Sequence, residues 1–234
     1  MVQYVEWPCK SGGRTTELDG VEMSDLQLLT DALQIRFPAP PPQATEGWQN
    51  PALCVLDCVL SLNRPYRRVV LPRVTRFAEK HTNVGTLEAL QCLIASYPSP
   101  LEFSAVELDY KDSRRADTLR GVVSYLLDVE QDFPGSSELQ RLCGWAEWAR
   151  PGDFTFTGVR GFGLAGFQYL RLLFGANTAK PDVWICRFVS QSIGRTAGPI
   201  EALFLLERAA KRANLRLRDI DAAIWSQSAR GSAV

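Results

Sequence analysis

The sequence lacks the features that would assign it to a membrane or secreted class. No stretch approaches the roughly 18 consecutive apolar residues of a membrane-spanning helix. The start, M-V-Q-Y-V-E-W, has no basic segment followed by an apolar run and so does not resemble a signal peptide. Acidic and basic residues number 26 each, which gives a formal net charge of zero. We therefore expect a soluble cytoplasmic protein whose overall charge does not indicate a polyanionic partner.

Metal ligands in a recognisable spacing are also missing. The six cysteines include no C-x-x-C pair, and His81 is the only histidine. Cys54 and Cys58, four residues apart, would share one face of a helix, but no histidine stands near them in the sequence to complete a site. The sequence thus predicts reduced thiols, no bound metal and no cofactor.

The composition suits a folded protein that could contact phosphate. Apolar residues make up 46% of the 234 positions, enough to fill a substantial core. Of the basic residues 21 are arginine, whose planar guanidinium can bind phosphate through two parallel hydrogen bonds. Solvated helix faces use the same residues, so the arginine content alone does not decide the function.

Helical periodicity dominates the chain. The segment F-P-A-P-P-P-Q at 37–43 cannot be helical, because its prolines lack backbone donors and restrict the residues before them. It ends an N-terminal extension, residues 1–43, in which one helix is predicted over 24–36 with Ser24 as its N-cap. In the body, residues 44–234, we predict helices over 51–62, 66–80, 86–96, 112–131, 137–149, 164–174, 182–193, 199–213 and 219–229. No strand alternation of comparable strength occurs, so the predicted fold class is all-α.

The most informative segment is a glycine-rich hairpin at about 154–174. Its turn consists of Val159, Arg160, Gly161, Phe162 and Gly163. The two glycines permit a tight turn and leave the backbone uncovered. The free N–H groups and the positive dipole end of the next helix would then bind phosphate without a basic side chain. Glycine also serves such turns for steric reasons alone, so the turn by itself is weak support.

A carboxylate follows the hairpin. Asp182 lies 19 residues after Gly163, in K-P-D, and opens another predicted helix. An aspartate that follows proline at a helix start is an ordinary N-cap. Spacing alone therefore leaves open whether Asp182 caps the helix, acts in catalysis, or does both.

Together these segments resemble the helix-hairpin-helix DNA glycosylases, the endonuclease III superfamily. Residues 159–163 are similar to its L-P-G-V-G hairpin, Phe174-Gly175 to the end of the following helix, and P-D-V-W-I-C-R at 181–187 to its catalytic-aspartate motif. Upstream, 55–63 resembles the early helix that ends in a DNA-probing residue, and 112–119 the helix before the hairpin lobe. The resemblance covers roughly residues 50–230.

The resemblance implies a two-lobed helical endonuclease III-like fold and a monofunctional DNA glycosylase. Such an enzyme flips a damaged or modified base and hydrolyses its N-glycosidic bond, with Asp182 as the catalytic residue, and leaves an abasic site. Ala165 stands where bifunctional relatives carry the lysine that attacks the sugar. Endonuclease III has a C-terminal four-cysteine iron–sulfur cluster, whereas the last cysteine here is Cys186. The resemblance therefore implies neither lyase activity nor a cluster.

The same resemblance assigns roles in DNA binding. The hairpin residues and Ala165 would contact DNA, and Asn63 would fill the gap left by the flipped base, unless it is only a polar helix C-cap before Pro65. Trp184 and Tyr66 could stack on the extruded base, although a core role is open for both. Trp184 replaces a histidine of the family motif, so contacts around the carboxylate do not transfer. The implied partner is double-stranded DNA with a modified or damaged base, bound by a monomer in the cytoplasm or on a bacterial nucleoid.

Other functions remain open. The zero net charge and the altered aspartate motif would suit a catalytically inactive DNA-binding protein with the glycosylase fold. A helical protein-interaction domain without a nucleic acid partner would differ in showing no salt-dependent retention on duplex DNA. The substrate is open between a damaged genomic base, in base excision repair, and a modified phage base, in antiviral defence.

Overall fold

Helices account for the regular structure throughout the computed structural model, which describes residues 15–44 and 47–231, with side chains for 24–44 and 47–227. Those residues contain no strand, so the predicted all-α class is confirmed. A π-helical turn spans Tyr66–Val70, and 3₁₀ turns span Glu130–Asp132 and Pro151–Thr157. The α-helices are α1 (Thr15–Arg36), α2 (Pro51–Leu60), α3 (Leu71–Lys80), α4 (Leu87–Ala95), α5 (Pro100–Glu107), α6 (Ser113–Val129), α7 (Glu138–Trp148), α8 (Leu164–Leu173), α9 (Val183–Ile193), α10 (Pro199–Arg212) and α11 (Leu217–Gly231).

Most predicted helices occur within a few residues of their expected bounds, and the differences have local causes. Helix α5 was not predicted, although Ser99 caps it by accepting a hydrogen bond from the Glu102 amide at 3.2 Å. The expected helix over 66–80 begins with the π-helical turn instead of an α-helical one. The N-cap prediction for Ser24 was wrong, because α1 begins at Thr15 and Ser24 lies within it.

Helices α2 to α8 surround a first hydrophobic core. Helix α2 is its central element: all ten of its residues are buried, and it packs on α3, α4, α6 and α8. The aromatic side chains of Phe77, Phe103, Trp145 and Phe167 fill the space around it and are almost fully buried. Trp145 is thus a core residue.

The N-terminal helix and the last three helices share a second core. Leu29 and Leu33 of α1 are fully buried there, where α1 packs on α9 and α10. The proline-rich segment is non-helical, as predicted, and leads from this core to the first one. After it, the Ala44 amide donates a hydrogen bond to Asp219 of α11 at 2.8 Å. Helix α1 and the segment after it are therefore held by the last three helices.

A polar cluster around Glu107 joins the end of α3 to α5. His81 lies 2.7 Å from a carboxylate oxygen of Glu107, which also accepts a hydrogen bond from Lys80. Burial opposes ionisation of Glu107, but the hydrogen bonds from Lys80, Tyr97 and His81 outweigh it and lower its pKa to about 2. Cys9 lies outside the described residues, and the other five cysteines are free thiols. Within the described part of the chain, no helix is long and apolar enough to span a membrane.

The packing of α1 predicts a large difference between two adjacent leucines. Leu29 is fully buried in the second core, whereas Leu28 is 45% exposed. Leu29→Ala should lower the free energy of unfolding by about 2–5 kcal/mol, because it leaves a cavity. Leu28→Ala is the matched control and should change it by less than about 0.5 kcal/mol. Denaturant unfolding measures both values, and equal effects would contradict the placement of α1.

Candidate active site

The predicted hairpin forms a turn that rests on α6. Gly163 is the N-cap residue of α8, and Gly161 has a φ of 82°, a conformation that glycine adopts without strain. The Thr118 hydroxyl of α6 shares its one proton between the Arg160 carbonyl oxygen at 3.0 Å and the Arg114 carbonyl oxygen of its own helix at 2.8 Å. Helix α6 therefore contacts the hairpin through the backbone of its turn.

The outer surface of the hairpin is mostly backbone. Gly161, Gly163 and Arg160 are exposed, and Gly163 provides no side-chain cap for the first amides of α8. These amides have no acceptor within the helix, so they remain available to an anion. Phe162 is only 4% exposed and belongs to the first core, so its ring is not available to a ligand. Val159 is half-buried against Gly121 of α6.

The turn after α2 brings Asn63 to the surface. The C-cap of α2 is Ser61, so the C-cap role considered for Asn63 is wrong. Asn63 is exposed and has a φ of 57°. Arg115 of α6 donates a hydrogen bond to the Leu62 carbonyl oxygen at 2.8 Å. Because Arg115 and Thr118 are three residues apart, one face of α6 holds both the Asn63 turn and the hairpin.

Close packing of the end of α2 on the start of α8 joins the turn and the hairpin directly. A Cβ atom at Gly166 would lie 2.8 Å from Cδ2 of Leu62 and 2.9 Å from Cε2 of Phe162. The Cys58 thiol donates a hydrogen bond to the Gly166 carbonyl oxygen at 3.3 Å. Any larger residue at position 166 would therefore force the side chains of Leu62 and Phe162 to move.

Asp182 is the N-cap of α9, as its position after proline predicts. Its Oδ1 atom accepts hydrogen bonds from the amides of Trp184 at 2.8 Å and Ile185 at 3.3 Å. The residue is partly exposed, and neither capping bond uses Oδ2. Asp182 can therefore hold the helix end with one oxygen and present the other to a ligand.

Lys180 links the loop of Asp182 to the end of α2. Its Nζ atom lies 3.4 Å from Oγ of Ser61 and 4.0 Å from the centre of the Tyr169 ring. Ser61 immediately precedes Leu62, which packs on the hairpin helix. Residues 61–63 therefore form the junction at which the hairpin, the Asn63 turn and the Asp182 loop meet.

A buried carboxylate organises the aromatic side chains next to this junction. Asp57 is 1% exposed and accepts hydrogen bonds from the Trp48 indole at 2.8 Å, the Tyr66 hydroxyl at 2.7 Å and the Tyr169 hydroxyl at 2.8 Å. Burial, and then the charge of Asp57, raise the pKa of both tyrosines, so they act as neutral donors. The Tyr66 ring also packs edge-on against Trp225 of α11, with ring centres 5.6 Å apart.

Asp221 of α11 holds the same loop from the second core. Its Oδ1 atom accepts a hydrogen bond from the Lys180 backbone amide at 2.8 Å. Burial raises the pKa of Asp221 to about 7; the hydrogen bond from the Lys180 amide opposes this shift, and the nearby charge of Asp182 adds to it. The loop that carries Lys180 and Asp182 is thus fixed from both cores.

The two aromatic residues expected to line a base pocket lie apart. Tyr66 belongs to the Asp57 cluster, whereas Trp184 packs on the second core with the Arg187 guanidinium 4.9 Å from its ring centre. The described side chains show no ring contact between Trp184 and Tyr66. Ala165 is partly buried in the first turn of α8.

Sequence reasoning gave no role to four residues of this site, namely Asp57, Tyr169, Lys180 and Asp221. A signal for Asp57 exists, since it is the only charged residue in the apolar helix P-A-L-C-V-L-D-C-V-L. The contacts of the other three join residues at least 41 positions apart. They depend on tertiary structure and have no local pattern.

Comparison with known families identifies one matching segment. Residues 155–229 match a domain of unknown function, DUF8548. No curated protein and no solved structure matches the chain. The matched segment contains the hairpin turn, the Asp182 loop and Asp221, and the family assigns no activity to them.

The raised pKa of Asp221 predicts a pH-dependent stability. The pKa of Asp221 is about 7 in the folded protein, against an ordinary value of 3.8. The protonated group therefore stabilises the fold, and this contribution is lost as the pH rises from about 4 through 7. Asp221→Asn keeps an oxygen for the Lys180 amide but cannot ionise. The difference in melting temperature between Asp221→Asn and the wild type should therefore become more positive from pH 5 to pH 8.

The control for this measurement is the exposed Asp132. Asp132→Asn should follow the pH dependence of the wild-type melting temperature. Parallel curves for the wild type and Asp221→Asn would show that Asp221 does not bind its proton in this way.

Proposed function

We propose that this protein is a monofunctional DNA glycosylase with an endonuclease III-like, helix-hairpin-helix fold. It flips a damaged or modified base out of duplex DNA, hydrolyses the N-glycosidic bond and leaves an abasic site. The observation that carries the proposal is the junction at residues 61–63. There a backbone-rich hairpin, an exposed turn and a partly exposed carboxylate loop come together.

In this proposal the hairpin binds the DNA backbone. The uncapped amides at the start of α8, next to the exposed Gly163, and the positive end of the helix dipole attract phosphate, with the exposed Arg160 in the same turn. Such a contact does not require a basic protein surface. It therefore agrees with a chain of zero net charge.

Asp182 supplies the chemistry. Breaking an N-glycosidic bond develops positive charge on the sugar, and an ionised carboxylate near C1′ stabilises that charge. Oδ1 is occupied by the amides of α9, which fix the orientation of the group, and Oδ2 is the oxygen that faces the sugar. Asp182 also orients the attacking water or accepts its proton.

The extruded base needs a pocket, and the duplex needs a side chain in its place. Asn63 fills the gap in the duplex, because it is exposed at the tip of a turn held by Arg115. Tyr66 and Trp225, held by Asp57 and by each other, offer aromatic surface for the base. The base is a damaged genomic base or a modified phage base, which places the enzyme in repair or in antiviral defence.

The two hydrophobic cores support the two-lobed arrangement, because the site residues come from both of them. The proposed partner is duplex DNA that contains a modified or damaged base, bound by a monomer in the cytoplasm or on the nucleoid. Duplexes containing uracil, 5-hydroxymethylcytosine, 8-oxoguanine, hypoxanthine or 3-methyladenine, together with glucosylated phage DNA, form the test panel. Mass spectrometry of released bases would identify the substrate.

One observation favours a second candidate, a catalytically inactive DNA-binding protein of the same fold. The two capping bonds of Asp182 give this residue a structural role that needs no catalysis. Such a protein would bind duplex DNA in a salt-dependent manner. It would release no base from any member of the panel.

Asp182→Asn separates the structural role of this residue from the catalytic one. The asparagine side chain can still accept the hydrogen bonds of Trp184 and Ile185, so the helix cap and the fold should persist. Removal of the charge should lower the rate of base release by roughly 100-fold or more, with DNA binding retained. Alkali-revealed strand cleavage measures the rate, and full activity of the variant would remove Asp182 from the mechanism.

Gly163→Val tests the phosphate contact of the hairpin. A Cβ at position 163 meets no atom within 4 Å, so the variant should fold normally, but its side chain would cover the exposed amides. Binding should weaken roughly fivefold, about 1 kcal/mol, and by the same factor for every duplex sequence.

Gly85→Val is the matched control, since position 85 is also open and exposed and belongs to no part of the site. Its affinity for DNA should equal that of the wild type in a fluorescence anisotropy titration. A loss in Gly163→Val that is confined to one modified base would show that the hairpin does not contact phosphate.

A further inference from the structure

The glycosylase mechanism proposed above uses the negative charge of Asp182 but gives no role to the positive charge of Lys180. Lys180 is partly buried, two residues before Asp182, and its Nζ atom points toward the junction beside Ser61 and Tyr169. The side chain of Asp221 accepts a hydrogen bond from the Lys180 backbone amide, so α11 holds the backbone from which this side chain extends.

The Lys180 ammonium group contacts uncharged groups, although its charge also acts on Asp221, where it opposes the rise in pKa that burial causes. Among the ion pairs of the described residues, none involves Lys180. The hydroxyl of Ser61 and the face of the Tyr169 ring are both uncharged partners. Within the Asp57 cluster, Lys180 contacts the ring of Tyr169, whose hydroxyl donates a hydrogen bond to Asp57. Lys180 is thus a fixed cation with capacity for a further acceptor.

Hydrolysis of a glycosidic bond creates two charges. When the C1′–N bond breaks, its electron pair stays with the base and the sugar becomes positive. One water molecule then completes the reaction, since its hydroxyl adds to C1′ and its remaining proton goes to the base. A carboxylate suits the sugar, and a cationic donor suits the base.

We propose that Lys180 is the catalytic cation that stabilises the departing base while Asp182 stabilises the sugar. Its ammonium group donates a hydrogen bond to an acceptor atom of the extruded base, which lies against Tyr66. This role rests on the proposed glycosylase function. The loop then carries one catalytic charge of each sign, on Lys180 and on Asp182. The Lys180 nitrogen acts as an ammonium group, which has no lone pair with which to attack C1′.

The test compares Lys180→Gln and Lys180→Arg with Lys211→Gln, an exposed lysine of α10 outside the site. Single-turnover base release is measured on the duplexes of the panel above that the wild type processes. Lys180→Gln should lower the rate roughly 100-fold, and the charged Lys180→Arg should recover part of it. Lys211→Gln should react at the wild-type rate. The dissociation constant for a duplex with a tetrahydrofuran abasic site and the melting temperature should stay near wild-type values in all three variants.

Other outcomes would overturn the role of Lys180. A full rate in Lys180→Gln, with Asp182→Asn inactive, removes Lys180 from catalysis and leaves the glycosylase function intact. A rate loss that Lys180→Arg does not relieve, with a lowered melting temperature, indicates a structural role instead. A borohydride-trapped complex with wild type that disappears in Lys180→Gln shows that the amine is a nucleophile. A wild-type protein that releases no base from the whole panel refutes the glycosylase function and this role with it.

Discussion

The close approach of α2 and α8 is the constraint on which the site depends. It is possible because residue 166 is a glycine, which lets Leu62 and Phe162 meet over the helix backbone. The residues on either side of Leu62 then have fixed positions: Ser61 beside the Lys180 ammonium and Asn63 at the exposed tip of the turn. A bulkier residue at position 166 would displace the side chains of Leu62 and Phe162 and so disturb the packing of the hairpin on the Asn63 turn.

The charged groups around this junction differ in their partners. The buried Asp57 has several hydrogen-bond donors, whereas the partly exposed Asp182 and Lys180 can each accept or donate a further hydrogen bond. Asp57 lies in a fully buried helix, where an unpaired carboxylate would be costly, and three donors from separate elements satisfy it. Asp182 uses one oxygen for its helix, and the Lys180 ammonium group forms no ion pair within the described residues. The first arrangement stabilises the fold, and the second leaves two opposite charges for a ligand.

The sequence predicted the elements of this structure better than their assembly. Helical period and the proline-rich segment were sufficient for the all-α class and for most helix positions, because these signals are local. The N-cap geometry of Asp182 and the exposed glycines of the hairpin were also local and therefore predictable. Helix α5, of eight residues, has weak amphipathic character and was missed despite its serine cap.

The site residues that the sequence did not predict are those whose positions depend on contacts between residues far apart in the chain. Nothing in K-P-D indicates that the lysine reaches Ser61, or that an aspartate of the last helix binds its backbone amide. Tyr66 was named from its aromatic character, but its position follows from Asp57, which only the folded chain brings beneath it. The glycosylase interpretation itself came from a resemblance of sequence motifs, and the contacts at residues 61–63 enter it only as the proposed location of the site.

The most direct measurement of the central claim does not require knowledge of the substrate. It compares the affinity of the protein for two duplexes, one with a positively charged pyrrolidine in place of the target deoxyribose and one with a neutral tetrahydrofuran. If Asp182 faces the anomeric carbon of an extruded nucleotide, the cationic duplex should bind at least roughly 100-fold more tightly, and Asp182→Asn should abolish the difference. Equal affinity of the wild-type protein for both duplexes would contradict the account.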